Sequence, residues 1–330
     1  ETRIAAKKLT PVEQRDPAKR FQKMRYDDLK AMVGNVDLDA YFGALGLPTG
    51  GEVIVVEAAA LRERNALLAE LPLADTKVYL DWELVRRAAP YLTPAFLVPG
   101  KAFAEVLYGK FELPPRDRLV AQQISGKLGH PLGQLYVARY LSPDAIAAAE
   151  DLVARIKSEF RGRVEKSRWV AHATRREALA KFDTMKVGVG RPAQWIDYAA
   201  VEIRRDDYFG NVARINEFRV RRELARFGKP VQQDGFAVPN ATQPTDINAA
   251  YQPDKNSIEI PAAFLQPPFY DPKADPALNF CSLGAVIGHE FTHGFDSSGR
   301  LYDSQGNVRD WWTAVDAKHF EQEAQKLVRQ

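Results

Sequence analysis

Cysteine is almost missing from this chain. Cys281 stands alone in 330 residues, which excludes an intrachain disulfide and any cysteine-built metal cluster and leaves the redox compartment open. Long apolar runs are missing as well, so no stretch reads as a membrane-spanning helix. Neither sign of charge dominates: 46 basic against 43 acidic side chains leave a net charge of +3. The richest basic stretch, Arg204 to Arg226, is interrupted by Asp206, Asp207, Glu217 and Glu223. It therefore reads as the solvated face of a helix, and with no binding module beside it no nucleic-acid partner is expected. The first eight residues are charged and lack a signal-peptide pattern, which leaves the origin of the chain open.

What remains is a globular composition, 45% hydrophobic and 27% charged, long enough for two domains or one large one. Up to Pro230 the chain reads as helix after helix, with short stops at glycine and proline. Ser142 to Phe160 is the clearest: a serine N-cap, Pro143 in the first turn, then an apolar stripe of Ile146, Ala149, Val153, Ile156 and Phe160. Trp169 to Met185 follows as a helix, and Gly188-Val-Gly190 reads as a turn, since it lacks the third glycine and the Lys-Ser/Thr of a phosphate loop. Glu52 to Val56 fits a strand or the start of a buried helix equally. Past Pro230 the composition shifts to Pro, Asn, Gln and Gly. Strand-like pieces are expected at 235–238, 247–251 and 257–260, then helices at 278–295 and 311–330. The expected fold is mainly α with a small β component, with a boundary between domains at 1–230 and 231–330.

Histidine is scarce, five in all, and two of them carry the chemistry. The run Val286-Ile-Gly-His289-Glu290-Phe-Thr-His293-Gly-Phe295 contains His-Glu-x-x-His. Histidines four apart on a helix project from one face and can share one zinc ion, Zn²⁺, with Glu290 placed to handle a bound water as general base. Neutral imidazoles bind zinc without cancelling its charge, so the ion can lower the pKa of water and polarise a carbonyl. The competing reading is a buried helix whose histidines are satisfied by hydrogen bonds.

A catalytic zinc usually takes three protein ligands. Positions 296 and 299, where one zinc-protease class would carry Gly and His, hold Asp296 and Gly299, which excludes that class. Asp296 reads as a partner that orients a ligand imidazole or closes the loop, and a plain loop carboxylate fits as well. Glu321 and Glu323 lie on the last helix among lysines and read as a solvated face. The sequence thus supplies two ligands and no convincing third.

Several stretches together resemble the neprilysin and endothelin-converting-enzyme family of zinc metallopeptidases. They are Val286 to Asp296, Ile247-Asn-Ala-Ala-Tyr251, Ile260-Pro-Ala-Ala-Phe-Leu-Gln-Pro-Pro-Phe269 and Asp310-Trp-Trp-Thr313. Upstream, Gly133 to Val137, the Trp169/Thr174/Ala178/Lys181 pattern and Asp207-Tyr-Phe209 also fit, so the likeness is colinear over essentially the whole chain. Ala171 departs from the family's usual aspartate.

The resemblance implies a large helical domain covering a cavity, plus part of a thermolysin-like catalytic domain. It implies a zinc endopeptidase acting on oligopeptides, with His289 and His293 as ligands and Glu290 as base. Asn248 and Ala249 would bind the peptide backbone as an added strand. Phe264, Phe269 and Val286 would wall the pocket for the residue after the scissile bond. The family's third ligand is a glutamate in Glu-x-x-x-Asp, expected downstream of Gln330. The chain is therefore expected to be a central fragment, inactive alone, with the missing C-terminal part as a partner. An inactive peptide-binding relative is the alternative. A bacterial, extracytoplasmic member, periplasmic or secreted, is expected, with a cytoplasmic location as the other option.

Overall fold

Ser142 opens the helix Pro143–Lys166, its hydroxyl accepting from the Ala145 N–H at 3.2 Å, as the capping signal requires. The helix runs past Phe160 to Lys166 and buries Ala145, Ala149, Leu152 and Val153. In the computed structural model, which describes residues 2–110, 112–237 and 242–329, this helix packs against the helices His172–Thr184 and Leu283–His293. Phe182, wholly buried, sits among the rings of Phe160, Phe291 and Phe295.

The strands are β1 (Phe21–Arg25), β2 (Glu52–Val56), β3 (Lys186–Gly190), β4 (Ala250–Gln252) and β5 (Ser257–Pro261). β1 and β2 pair antiparallel, so Glu52–Val56 is a strand. The second sheet has the order β3-β5-β4, with β3 parallel and β4 antiparallel to β5. Every residue of β5 is buried, as befits a central strand covered on both faces.

The fold is mostly helical with small sheets, as the sequence indicates. The chain divides into two compact units, Glu1–Gln123 with Tyr198–Lys229, and Ile124–Asp197 with Pro230–Gln330. In this division residues 124–197 pack with 230–330. The reason is tertiary pairing: β3 hydrogen-bonds along β5, and Pro143–Lys166 covers the Leu283–His293 helix. The first unit has its own small core of Tyr26, Leu29, Val33, Leu38, Val55 and Ala58.

Three local expectations differ from the structure. Gly188 and Gly190 lie in β3, not in a turn. A Cβ at Gly188 would fall 2.9 Å from a Phe236 ring carbon, and Gly190 has φ +75° against Leu141, so these glycines mark close approach. The helix expected over 278–295 is two, Pro276–Cys281 and Leu283–His293. Ser282 breaks it at φ −96°, ψ −90°, its hydroxyl donating to the carbonyls of Phe269 and Leu278. The strand expected over 235–238 is a short 3-10 turn at Gly235–Ala237, and Val238 lies outside the described residues.

That turn presses on a buried carboxylate. A Cβ at Gly235 would fall 1.6 Å from Glu259 Oε1, which accepts from the Ser257 hydroxyl at 2.6 Å while Oε2 has no partner. Burial pushes the Glu259 carboxyl up to about 7, against hydrogen bonds from Ser257 and Gln252 that pull it down. A carboxyl raised in the folded state binds its proton more tightly than in the unfolded chain. Its stabilisation is complete below the ordinary glutamate value and is lost as pH rises through about 7, a swing on the order of 3 kcal/mol. Melting temperature is expected to fall from pH ~5 to ~8, and Glu259→Gln should flatten that fall. An unchanged slope in the variant would assign it to other groups.

Candidate metal centre

The helix Leu283–His293 is amphipathic in a way that fixes its chemistry. Leu283, Ile287 and Phe291, four apart, are fully buried, and this stripe seats the helix on the core. Glu290 lies toward the same side and is only 6% exposed. His289 and His293 sit on the neighbouring face, exposed and half-buried. Their Nε2 atoms approach to 3.0 Å. The spacing read from sequence therefore does place both imidazoles and Glu290 together, with ligand atoms within 4.8 Å of one another.

The second nitrogen of His293 is also committed. Nδ1 is 2.7 Å from Asp296 Oδ2, so with Nδ1–H donating to the carboxylate the lone pair of His293 lies on Nε2, facing His289 Nε2. Asp296 Oδ1 meanwhile accepts from the Ser298 and Gly299 N–H groups at 2.9 and 2.7 Å. Asp296 thus bonds one imidazole and two N–H groups of its own loop. Gly294 has ordinary right-handed backbone (φ −62°). A Cβ there would meet Met185 Cε at 2.9 Å, so the tip of that methionine would have to move.

These donors suit zinc. Two neutral imidazoles and nearby carboxylate oxygen form the set that a borderline-soft dication prefers. Two zinc–nitrogen bonds of about 2.0–2.1 Å at a tetrahedral angle would hold the nitrogens about 3.3 Å apart. The observed separation is 3.0 Å, close to that spacing. The third donor grouped with them is Glu290, read here as the base, and no further His, Cys, Asp or Glu joins the group among the described residues. Glu321 is exposed with an oxygen 4.0 Å from Arg300, and Glu323 pairs with Lys326, which agrees with their reading as a solvated face.

Beside the helix runs the edge of the sheet. β4 contacts the Leu283–His293 helix and pairs with β5 on one side only. Asn248, exposed, and Ala249, 5% exposed, lead directly into β4. Phe264 is buried in the main core, with its ring 4.5 Å from that of Phe269, which is 37% exposed. Val286, half-buried, packs on the same core one turn before Glu290.

Residues 1–192 and 248–330 match models described as Peptidase family M13. The chain belongs to peptidase family M13. Among solved structures, the zinc metalloprotease ZMP1 of Mycobacterium tuberculosis with inhibitor superposes at TM-score 0.89 with 34% identity, covering 100% of this chain and 50% of that one. PepO from Lactobacillus rhamnosis superposes at 0.79 with 25% identity, over 98% of this chain and 51% of that one. Rat endothelin-converting enzyme 1 is 30% identical across 100% of this chain and 44% of its own length. The M13 chain thus spans about half the length of the relatives it matches.

Behind the Asp296 loop lies a polar cluster to which the sequence assigned no role, although Lys181 stands in the Trp169/Thr174/Ala178/Lys181 pattern. Lys181, fully buried, donates from Nζ to the Gly299 and Tyr302 carbonyls at 2.6 and 2.7 Å. Asn256, 1% exposed and at φ +50°, donates to the Lys181 carbonyl and accepts from the Tyr251 hydroxyl. One signal was present. On a helix, Lys181 falls in line with Thr174, Ala178, Phe182 and Met185, a stripe that is otherwise buried, and lysine is rarely buried without a specific partner.

Proposed function

We propose that this M13 chain carries the metal helix and substrate strand of a zinc endopeptidase that hydrolyses oligopeptides. The observation that carries the reading is the convergence of two Nε2 atoms at 3.0 Å with His293 Nδ1 held by Asp296 and Glu290 adjacent. Zinc, when bound, supplies a Lewis acid that polarises a carbonyl and eases ionisation of water. His289 and His293 hold it through Nε2. A Glu290 carboxylate oxygen accepts a proton from water and returns it to the leaving nitrogen. Asn248 and Ala249 bind the peptide backbone along the open side of β4, leaving side-chain choice to pockets. Phe269, backed by Phe264, and Val286 are assigned to the pocket after the scissile bond.

The reading extends to partners and place. Peptides are the substrates. The third ligand is assigned to a C-terminal part that completes the site. A nucleic-acid role is set aside because Arg214, Arg221 and Arg226 pair with Asp207, Glu217 and Glu223. An extracytoplasmic location rests on the family likeness. Among the described residues no helix is long and apolar enough to cross a membrane.

Residues 1–330 alone are expected to bind zinc weakly and cleave no peptide, since two imidazoles leave the ion under-ligated. Zinc titration calorimetry and a peptide-cleavage assay check this. Chelator-sensitive cleavage by residues 1–330 that is lost in Glu290→Gln would show the site complete without a further ligand.

A further inference from the structure

We infer that Lys181 is the positioning residue of the metal centre, a buried clamp that holds the Asp296 loop against the helix carrying His293. This rests on the reading of His293 as a zinc ligand. The path is short and hydrogen-bonded throughout. Lys181 Nζ donates to the carbonyl of Gly299 at 2.6 Å and to that of Tyr302 at 2.7 Å. The Gly299 N–H donates to Asp296 Oδ1, and Asp296 Oδ2 accepts from His293 Nδ1, each at 2.7 Å. Gly299 is pressed so closely onto the metal helix that a Cβ would fall 1.7 Å from the His293 carbonyl oxygen. The loop therefore has little freedom to shift as long as Lys181 holds its far side.

A lysine is an unusual choice for this task. Lys181 is fully buried, and burial lowers its ammonium to about 7, against the raising influence of Asp296 and Asp303. In either protonation state the amine keeps the two N–H bonds that two carbonyls require. An uncharged hydroxyl or amide could satisfy carbonyls too, but neither reaches as far from a helix on a stem that packs among apolar side chains.

The same ammonium connects to the other half of the site. It lies 5.7 Å from the ring centroid of Tyr251 and 6.0 Å from that of Phe295, within cation–π range. Tyr251 belongs to β4, and its hydroxyl bonds Asn256 at 3.0 Å, which in turn donates to the Lys181 carbonyl. Lys181 thus ties the proposed substrate strand and the Asp296 loop to one helix, so that strand and metal ligand share a fixed spacing.

The test compares Lys181→Met and Lys181→Arg with the unaltered chain. Cobalt(II) serves as the spectroscopic probe, and ¹⁵N-histidine NMR of the metal-free chain reports the His293 tautomer. The unaltered chain is expected to show His293 protonated at Nδ1. Lys181→Met should weaken cobalt binding by roughly 10–100-fold, the usual effect of removing an outer partner of a ligand, and should mix the two tautomers. Lys181→Arg keeps charge and donors and should restore part of both. A packing role predicts the reverse order, because arginine is the larger misfit.

Cobalt affinity and tautomer unchanged in Lys181→Met would overturn the inference, as would a His293 not protonated at Nδ1 in the unaltered chain. That second outcome decides the matter even if neither variant folds. Cobalt binding that His293→Ala leaves untouched would instead sink the metal-site reading itself, so the two failures are distinct.

Discussion

Glu290→Gln in the full-length peptidase is expected to lower kcat/KM for peptide hydrolysis by roughly 10²–10⁴-fold, the usual contribution of a positioned general base. KM and zinc content should change little. The substitution keeps side-chain length and volume, which matters at a position only 6% exposed. It removes the one property the proposal assigns to this side chain, the capacity to take a proton. The amide cannot do so at any working pH, so the loss should appear in kcat. Zinc content measured by atomic absorption separates this from His293→Ala, which should lose the metal together with the activity. A Glu290→Gln enzyme retaining activity within tenfold of the unaltered one would mean that another group moves the proton.

His289, Glu290 and His293 lie within one turn and a half of a single helix, so their grouping follows from helical geometry and needs no tertiary information. The helix itself was legible from the apolar run around the motif, though its start at Leu283 was not. Asp296 was legible in kind, three residues on. What stayed hidden was set by contacts between distant segments. β3 was obscured because its glycines answer to Phe236 and Leu141, residues remote in sequence. The break at Ser282 depends on a bond to Phe269. The grouping of residues 124–197 with the metal helix depends on β3 lying along β5, and periodicity carries no record of strand partners. Lys181 showed only as one position of the Trp169/Thr174/Ala178/Lys181 pattern, with no role attached. Its partners, Gly299 and Tyr302, offer backbone carbonyls, which no side-chain pattern can announce.

Asp316→Ala is expected to cost about 3–5 kcal/mol at neutral pH, because one buried carboxylate accepts hydrogen bonds at the starts of two helices. Asp316 is 3% exposed and sits in the first turn of the helix Ala314–Val328, whose N-cap is Thr313. The Thr313 hydroxyl donates to it at 2.7 Å and accepts from its N–H at 3.2 Å, a reciprocal cap. The same carboxylate crosses to the helix His172–Thr184, accepting from the Ala171 N–H at 3.0 Å and the Thr174 hydroxyl at 2.6 Å. Ala171 has no side-chain cap of its own. The aspartate that the family resemblance places at position 171 is absent here, and the Asp316 carboxylate meets this helix start through the Ala171 N–H and the Thr174 hydroxyl. Burial alone would raise the Asp316 carboxyl, but hydrogen bonds from Thr174, Thr313 and Ala171 outweigh it and hold the group below the ordinary carboxylate range. A group depressed in the folded state stabilises above its unfolded value, and that stabilisation is lost as pH falls through the folded one. Urea midpoints of the unaltered chain and Asp316→Ala should therefore differ widely near pH ~7 and converge in acid, the opposite sense to Glu259. Asp316→Asn keeps one acceptor oxygen and should lose about half as much, and a gap that persists unchanged into acid would show that packing, not the carboxylate charge, holds the two helix starts together.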